Sequence, residues 1–110
     1  MKGLIIKDPW ITKILNGEKT WEIRSKNTNI QGVISLIKSG TGMIFGTVEL
    51  ICSKKLHWVE FEGGFKNHQI EETHEVTYEK IYAWMLKNPI WHPEPIPYKH
   101  PQGAVIWVNL

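Results

Sequence analysis

The stretch GEKTWEIR, residues 17–24, sets an ammonium, a carboxylate and a guanidinium close together as Lys19, Glu22 and Arg24, just behind Gly17. If these groups point inward they form a site: a carboxylate can serve as a general base, a nearby cation can stabilise developing negative charge, and a guanidinium can orient the carboxylate. On a solvated strand face the same Glu-x-Arg pair is worth at most about 1 kcal/mol. The alternation within TWEIR sends Trp21 and Ile23 to one face and leaves Thr20, Glu22 and Arg24 on the other. Lys19 lies just before the strand, and its long stem can swing to the same side once Gly17 has turned the backbone.

The elements that must position this group are readable in the chain order. GLIIK (3–7) reads as a strand. DPWITKILNG (8–17) reads as a short helix: Asp8 and Pro9 open it, Trp10, Ile11, Ile14 and Leu15 recur at helical spacing, and Gly17 ends it. TWEIR (20–24) is a strand, KNTNIQG a polar loop, and VISLIKS (33–39) and MIFGTVELIC (43–52) a hairpin around SGTG. Gly46 inside that second strand signals a bulge, a bend or a close backbone approach. Residues 53–80 read as short helical turns and loop. IYAWMLKN (81–88) reads as a strand stopped by Pro89. The proline-rich run that follows is extended and cannot enter a sheet interior. GAVIWVNL (103–110) is a last strand with an apolar run that suggests burial on both faces. The expected fold class is α+β, mainly β: a small barrel of five or six mostly antiparallel strands with one or two short helices, in one domain spanning 1–110.

Composition narrows the function classes. The 110 residues carry a formal net charge of +2, too mild to argue nucleic-acid binding by itself. Of the six tryptophans, most are expected in the core, although such rings also stack on nucleobases. Cys52 is the only cysteine, which excludes an intrachain disulfide. The start MKGLIIKDPW has too short an apolar run for a signal peptide, and no segment approaches a membrane span, so a cytoplasmic location is expected.

GEKTWEIR fits the pattern Gly-x-Lys-x-x-Glu-x-Arg, and through it the chain resembles the ASCH domains, whose fold is similar to that of PUA RNA-binding domains. The resemblance extends to the opening strand, the helix ending at Gly17, GVISLIKSGTGMIFGTVEL and PIPYKHPQGAVIWVNL, so it covers essentially the whole chain. It implies a PUA-like β-barrel whose cleft is lined by the motif residues, and an RNA or nucleoside-like ligand. Some small members hydrolyse N4-acetylcytidine to cytidine and acetate, and ribonuclease activity is also attributed to the family. Carried over, the resemblance makes Lys19 and Glu22 the catalytic pair and Arg24 a ligand-binding residue, without a cofactor. The alternative is a non-catalytic RNA-binding module. The chain departs from the amidohydrolase subgroup where Glu22 stands in place of a nucleophilic threonine. A further catalytic acid belongs to the segment 53–80, with Glu71, Glu72 and Glu75 as candidates.

Further ligand contacts are expected from Thr20 on the strand face, Ser39 beside the hairpin turn, and Tyr98 and His100 in YKHPQG. His100 is equally suited to bonding loop backbone. SGTG more often closes a hairpin than binds an anion. No histidine pair stands at i,i+4 and Cys52 has no partner at ligand spacing, so no metal site is expected. Dinucleotide, Walker and Gly-x-Ser-x-Gly motifs are absent.

Overall fold

A computed structural model describes residues 1–110. The β-branched opening run forms β1 (Lys2–Ile6) and leads into α1 (Trp10–Leu15). The Asp8 carboxylate caps α1 by accepting from the Thr12 amide (3.3 Å) and hydroxyl (2.6 Å). Its apolar spacing buries Ile11, Ile14 and Leu15. The chain continues through β2 (Trp21–Arg24), β3 (Gly32–Lys38) and β4 (Met43–Leu56). Two short helices follow, α2 (Trp58–Glu62) and α3 (Phe65–His68), then a 3₁₀ turn (Thr73–Glu75), β5 (Ile81–Pro97) and β6 (Trp107–Asn109).

All six strands join one sheet in the order β2-β5-β4-β3-β1-β6. The β1–β3 pairing is parallel and the other four are antiparallel, so the mainly β, α+β expectation holds. The sheet does not close. Its border strands are β2 and β6, and each is short and engaged elsewhere: β2 pairs with β5 and packs against α3, while β6 pairs only with β1. A closed barrel would need those two borders to pair.

Three strand ends differ from the sequence expectation. β4 does not stop at Cys52 but runs on to Leu56, into the segment read as helical turns and loop, because Ser53–Leu56 keep pairing with the start of β5. β5 does not stop at Pro89 but runs on to Pro97. Its first half lies between β2 and β4, whereas beyond Lys87 it pairs with β4 alone. On that free side a missing proline N–H breaks no ladder bond. The run is indeed extended and at the rim. Trp91 opposes Gly46 while Ile96 opposes Ile44, so residues 92–95 bulge out of the ladder opposite Phe45. The last strand is shorter than expected, and of its apolar run only Val108 is buried; Val105 is 76% exposed. A border strand with a single neighbour cannot cover both faces.

Gly46 proves to be a close backbone approach. A Cβ there would overlap the Ile90 carbonyl oxygen and lie 2.7 Å from Leu15 Cδ2. The main core, built on Leu4, Ile6, Leu36, Leu50 and Trp84, packs under α1. A second cluster joins Ile23, Leu56, Phe61, Ile81 and Ala83. Trp84 is buried, and Trp10, Trp21 and Trp107 pack partly buried on these clusters, while Trp58 and Trp91 are exposed.

Candidate active-site cleft

The end of α1 delivers the site. Gly17 takes φ +83°, a conformation that favours glycine. Its N–H donates to Ile14 O (3.0 Å) and the Glu18 N–H to Lys13 O (3.0 Å), the paired bonds of a Schellman motif. Lys19 N–H shares the same Lys13 carbonyl at 3.1 Å. The next residue is clamped on both sides: Thr20 N–H donates to Asn67 O (2.9 Å) and Thr20 O accepts from Leu86 N–H (2.8 Å). Helix stop and clamp together fix where the Lys19 side chain leaves the backbone.

That side chain is only 2% exposed. Its ammonium donates to the His68 carbonyl (2.5 Å), lies 4.8 Å from the centre of the Trp10 ring and stands 4.0 Å from Glu22 Oε1. Burial lowers its pKa to about 8, with the Glu22 charge opposing and Lys13 and Arg24 reinforcing that fall. Glu22 is 7% exposed. Its Oε2 accepts from Arg24 Nε (3.0 Å) and Nη2 (2.9 Å). Arg24 in turn donates to Ile5 O (3.2 Å) and lies against the Trp84 ring.

These residues line a cleft of about 670 Å³, within the usual range for a small-ligand site. Lys19, Glu22, Arg24 and Ser39 all reach it, and so do Glu71, Glu72 and Glu75 from the far segment. Thr20 does not line it; its hydroxyl bonds Asn67 Oδ1 at 3.1 Å. Tyr98 and His100 line a second, smaller depression of about 260 Å³ that shares Ile5 and Ser39 with the cleft. His100 donates from Nε2 to Ala104 O (2.9 Å), which leaves Nδ1 to accept from the Tyr98 hydroxyl (2.6 Å). Burial raises the Tyr98 pKa.

Cleft residues that sequence reasoning did not single out are Trp10, Lys7 and Lys13, which line it together with the motif. The position of Lys13 in the last turn of α1 was the available signal. No three His, Cys, Asp or Glu side chains come together as a metal ligand set. No helix is long and apolar enough to cross a membrane.

Residues 4–95 match the model of the ASCH domain. No curated protein matches the sequence. Among solved structures, ASCH from Zymomonas mobilis has a similar fold, with TM-score 0.77 and 16% identity over 99% of this chain and 86% of that one. Two of its single-residue variants give TM-scores of 0.77 and 0.76, both at 16% identity over 99% of this chain, with 88% and 87% of theirs covered. At that identity the likeness speaks for the fold. The family match across most of the sequence makes the chain a member of the ASCH domain family.

Proposed function

We propose that the cleft binds a nucleoside and hydrolyses the amide of an N4-acylcytidine-like compound. Family membership points to nucleic-acid or nucleoside ligands, and the site's chemistry selects among them. Water attacks the acyl carbon while Glu22 takes its proton through Oε1, the oxygen left free by Arg24. The Lys19 ammonium stabilises the oxyanion and then donates a proton as the C–N bond breaks. The amine leaves as N4-H2 and the acyl group as a carboxylate; the proton on Glu22 returns to solvent and Lys19 is reprotonated from it. Glu22 thereby fills with an activated water the place of a hydroxyl nucleophile.

The observation that carries this reading is the charge balance of the cleft. Lys7, Lys13, Lys19 and Arg24 are opposed by Glu22, Glu71, Glu72 and Glu75, four cations against four carboxylates. A site for a phosphate backbone would carry an excess of cations; a balanced one suits an uncharged nucleoside. The direct test follows the absorbance of N4-acetylcytidine with wild-type protein and with Lys19→Ala. Turnover by the first and none by the second supports the proposal. Folded wild-type protein without turnover removes it, and RNA binding that weakens with salt would then put a non-catalytic RNA-binding module, or failing that a ribonuclease, in its place.

A further inference from the structure

His68 is a fully buried polar side chain to which the proposed chemistry gives no part. Its ring is 0% exposed and is bonded at both nitrogens. Nδ1 accepts from the Ile70 N–H (2.9 Å), so Nε2 carries the proton and donates to the Phe61 carbonyl (2.6 Å). The ring also packs on Phe61, with centroids 4.7 Å apart. The chain around it is shaped to admit it. A Cβ on Gly64 would come within 2.7 Å of Trp21 and 3.4 Å of the His68 ring, and Gln69 turns the backbone at φ 61° directly after it. One imidazole thus ties α2, through Phe61, to the segment leaving α3, through Ile70. The peptide carbonyl held between those anchors is the one that accepts the Lys19 ammonium.

We infer that His68 is a positioning residue: its neutral, doubly bonded ring fixes the carbonyl that keeps the Lys19 ammonium inside the cleft wall, facing Glu22. The ring is out of reach of any ligand, and it acts through Lys19 alone. Burial holds the imidazole neutral, and the Lys19 charge adds to that effect. A protonated ring would lose its capacity to accept from Ile70. The inference rests on the reading of Lys19 as the working cation, but its test does not depend on turnover.

The experiment follows the ε-carbon NMR shift of Lys19 in carbon-13-lysine-labelled protein as a function of pH, with the Lys19→Met variant assigning the signal. The wild-type signal titrates with a midpoint near the buried value of about 8. His68→Phe keeps a flat ring but loses both bonds. Its Lys19 swings into solvent, the midpoint moves towards the ordinary 10.5, and the other lysines are unchanged. His68→Asn keeps an acceptor for Ile70 but cannot span to Phe61, and it gives a smaller shift in the same direction. An unchanged Lys19 midpoint in either variant that retains cooperative unfolding overturns the inference. Should His68→Phe fail to fold, His68→Asn decides alone. Loss of N4-acetylcytidine turnover with an unmoved midpoint would count against His68, whereas a moved midpoint in a protein with no turnover at all would count only against the hydrolase reading.

Discussion

Glu22 gives Oε2 to Arg24 in two bonds of 2.9 and 3.0 Å and leaves Oε1 facing the Lys19 ammonium at 4.0 Å. One oxygen is anchored and the other is on offer. The carboxylate is oriented from behind, and its free oxygen shares the cleft with a cation that burial has made easier to deprotonate.

The two members of this pair are coupled, and the coupling has a sign. The Glu22 charge raises the Lys19 pKa against the lowering by burial. Glu22→Gln therefore moves the Lys19 midpoint below about 8 and, on the proposed mechanism, reduces turnover by about a hundredfold or more. The pH titration of the Lys19 NMR signal checks the first, and the absorbance assay checks the second. A midpoint that stays or rises contradicts the electrostatic account.

On the proposed mechanism Lys19 acts in its protonated form, so kcat/KM falls as pH rises through about 8. Stability runs the other way. The folded value lies below the unfolded value of 10.5, so between the two the unfolded chain binds the extra proton and folding gains as pH rises. The whole effect is of the order of 3 kcal/mol. Urea unfolding at about pH 7.5, below this window, and at about pH 9.5, inside it, should show wild type gaining relative to Lys19→Met, which lacks the titrating group.

The Thr20 hydroxyl is spent on Asn67 and does not reach the cleft. Thr20→Val should cost about 1 kcal/mol of stability and leave N4-acetylcytidine turnover within about twofold of wild type. A large loss of turnover at unchanged stability would put this hydroxyl at the ligand after all.

Two glycines separate conformational cost from steric cost. At Gly17 an added Cβ meets nothing within 4 Å, so Gly17→Ala pays only for its positive φ, about 1 kcal/mol. At Gly46 the Cβ meets a carbonyl oxygen and a core leucine, and Gly46→Ala should cost about 2–3 kcal/mol. Denaturant midpoints rank the two; equal losses would mean that β4 and β5 can move apart at no cost.

Where sequence pattern and local chemistry agree, the structure was legible. Gly17 as a helix stop, the SGTG hairpin and the shared strand face of Glu22 and Arg24 each follow from a short-range rule, whereas the inward direction of that face came only with the family resemblance. What was not legible depends on neighbours far along the chain. The continuation of β5 through its prolines needs the knowledge that β2 begins only at Trp21, opposite Met85, which frees one side of the ladder beyond that point. The shortness of β6 needs its place at the border. His68 carries no local signal: its role depends on a carbonyl that meets Lys19 across 49 residues. The three glutamates of the intervening segment were recognisable as acids, but only the fold brings them into the cleft that Lys7, Lys13 and Lys19 also line.

The proline-rich half of β5 also bears on how the molecules meet one another. An open sheet exposes a strand to any passing chain that can zip onto it. Here the strand left without a neighbour beyond β2 carries Pro89, Pro93, Pro95 and Pro97, and residues 92–95 stand out of the ladder. Such a border offers too few regularly spaced donors to template a further strand, which guards the open sheet against growing into a fibre.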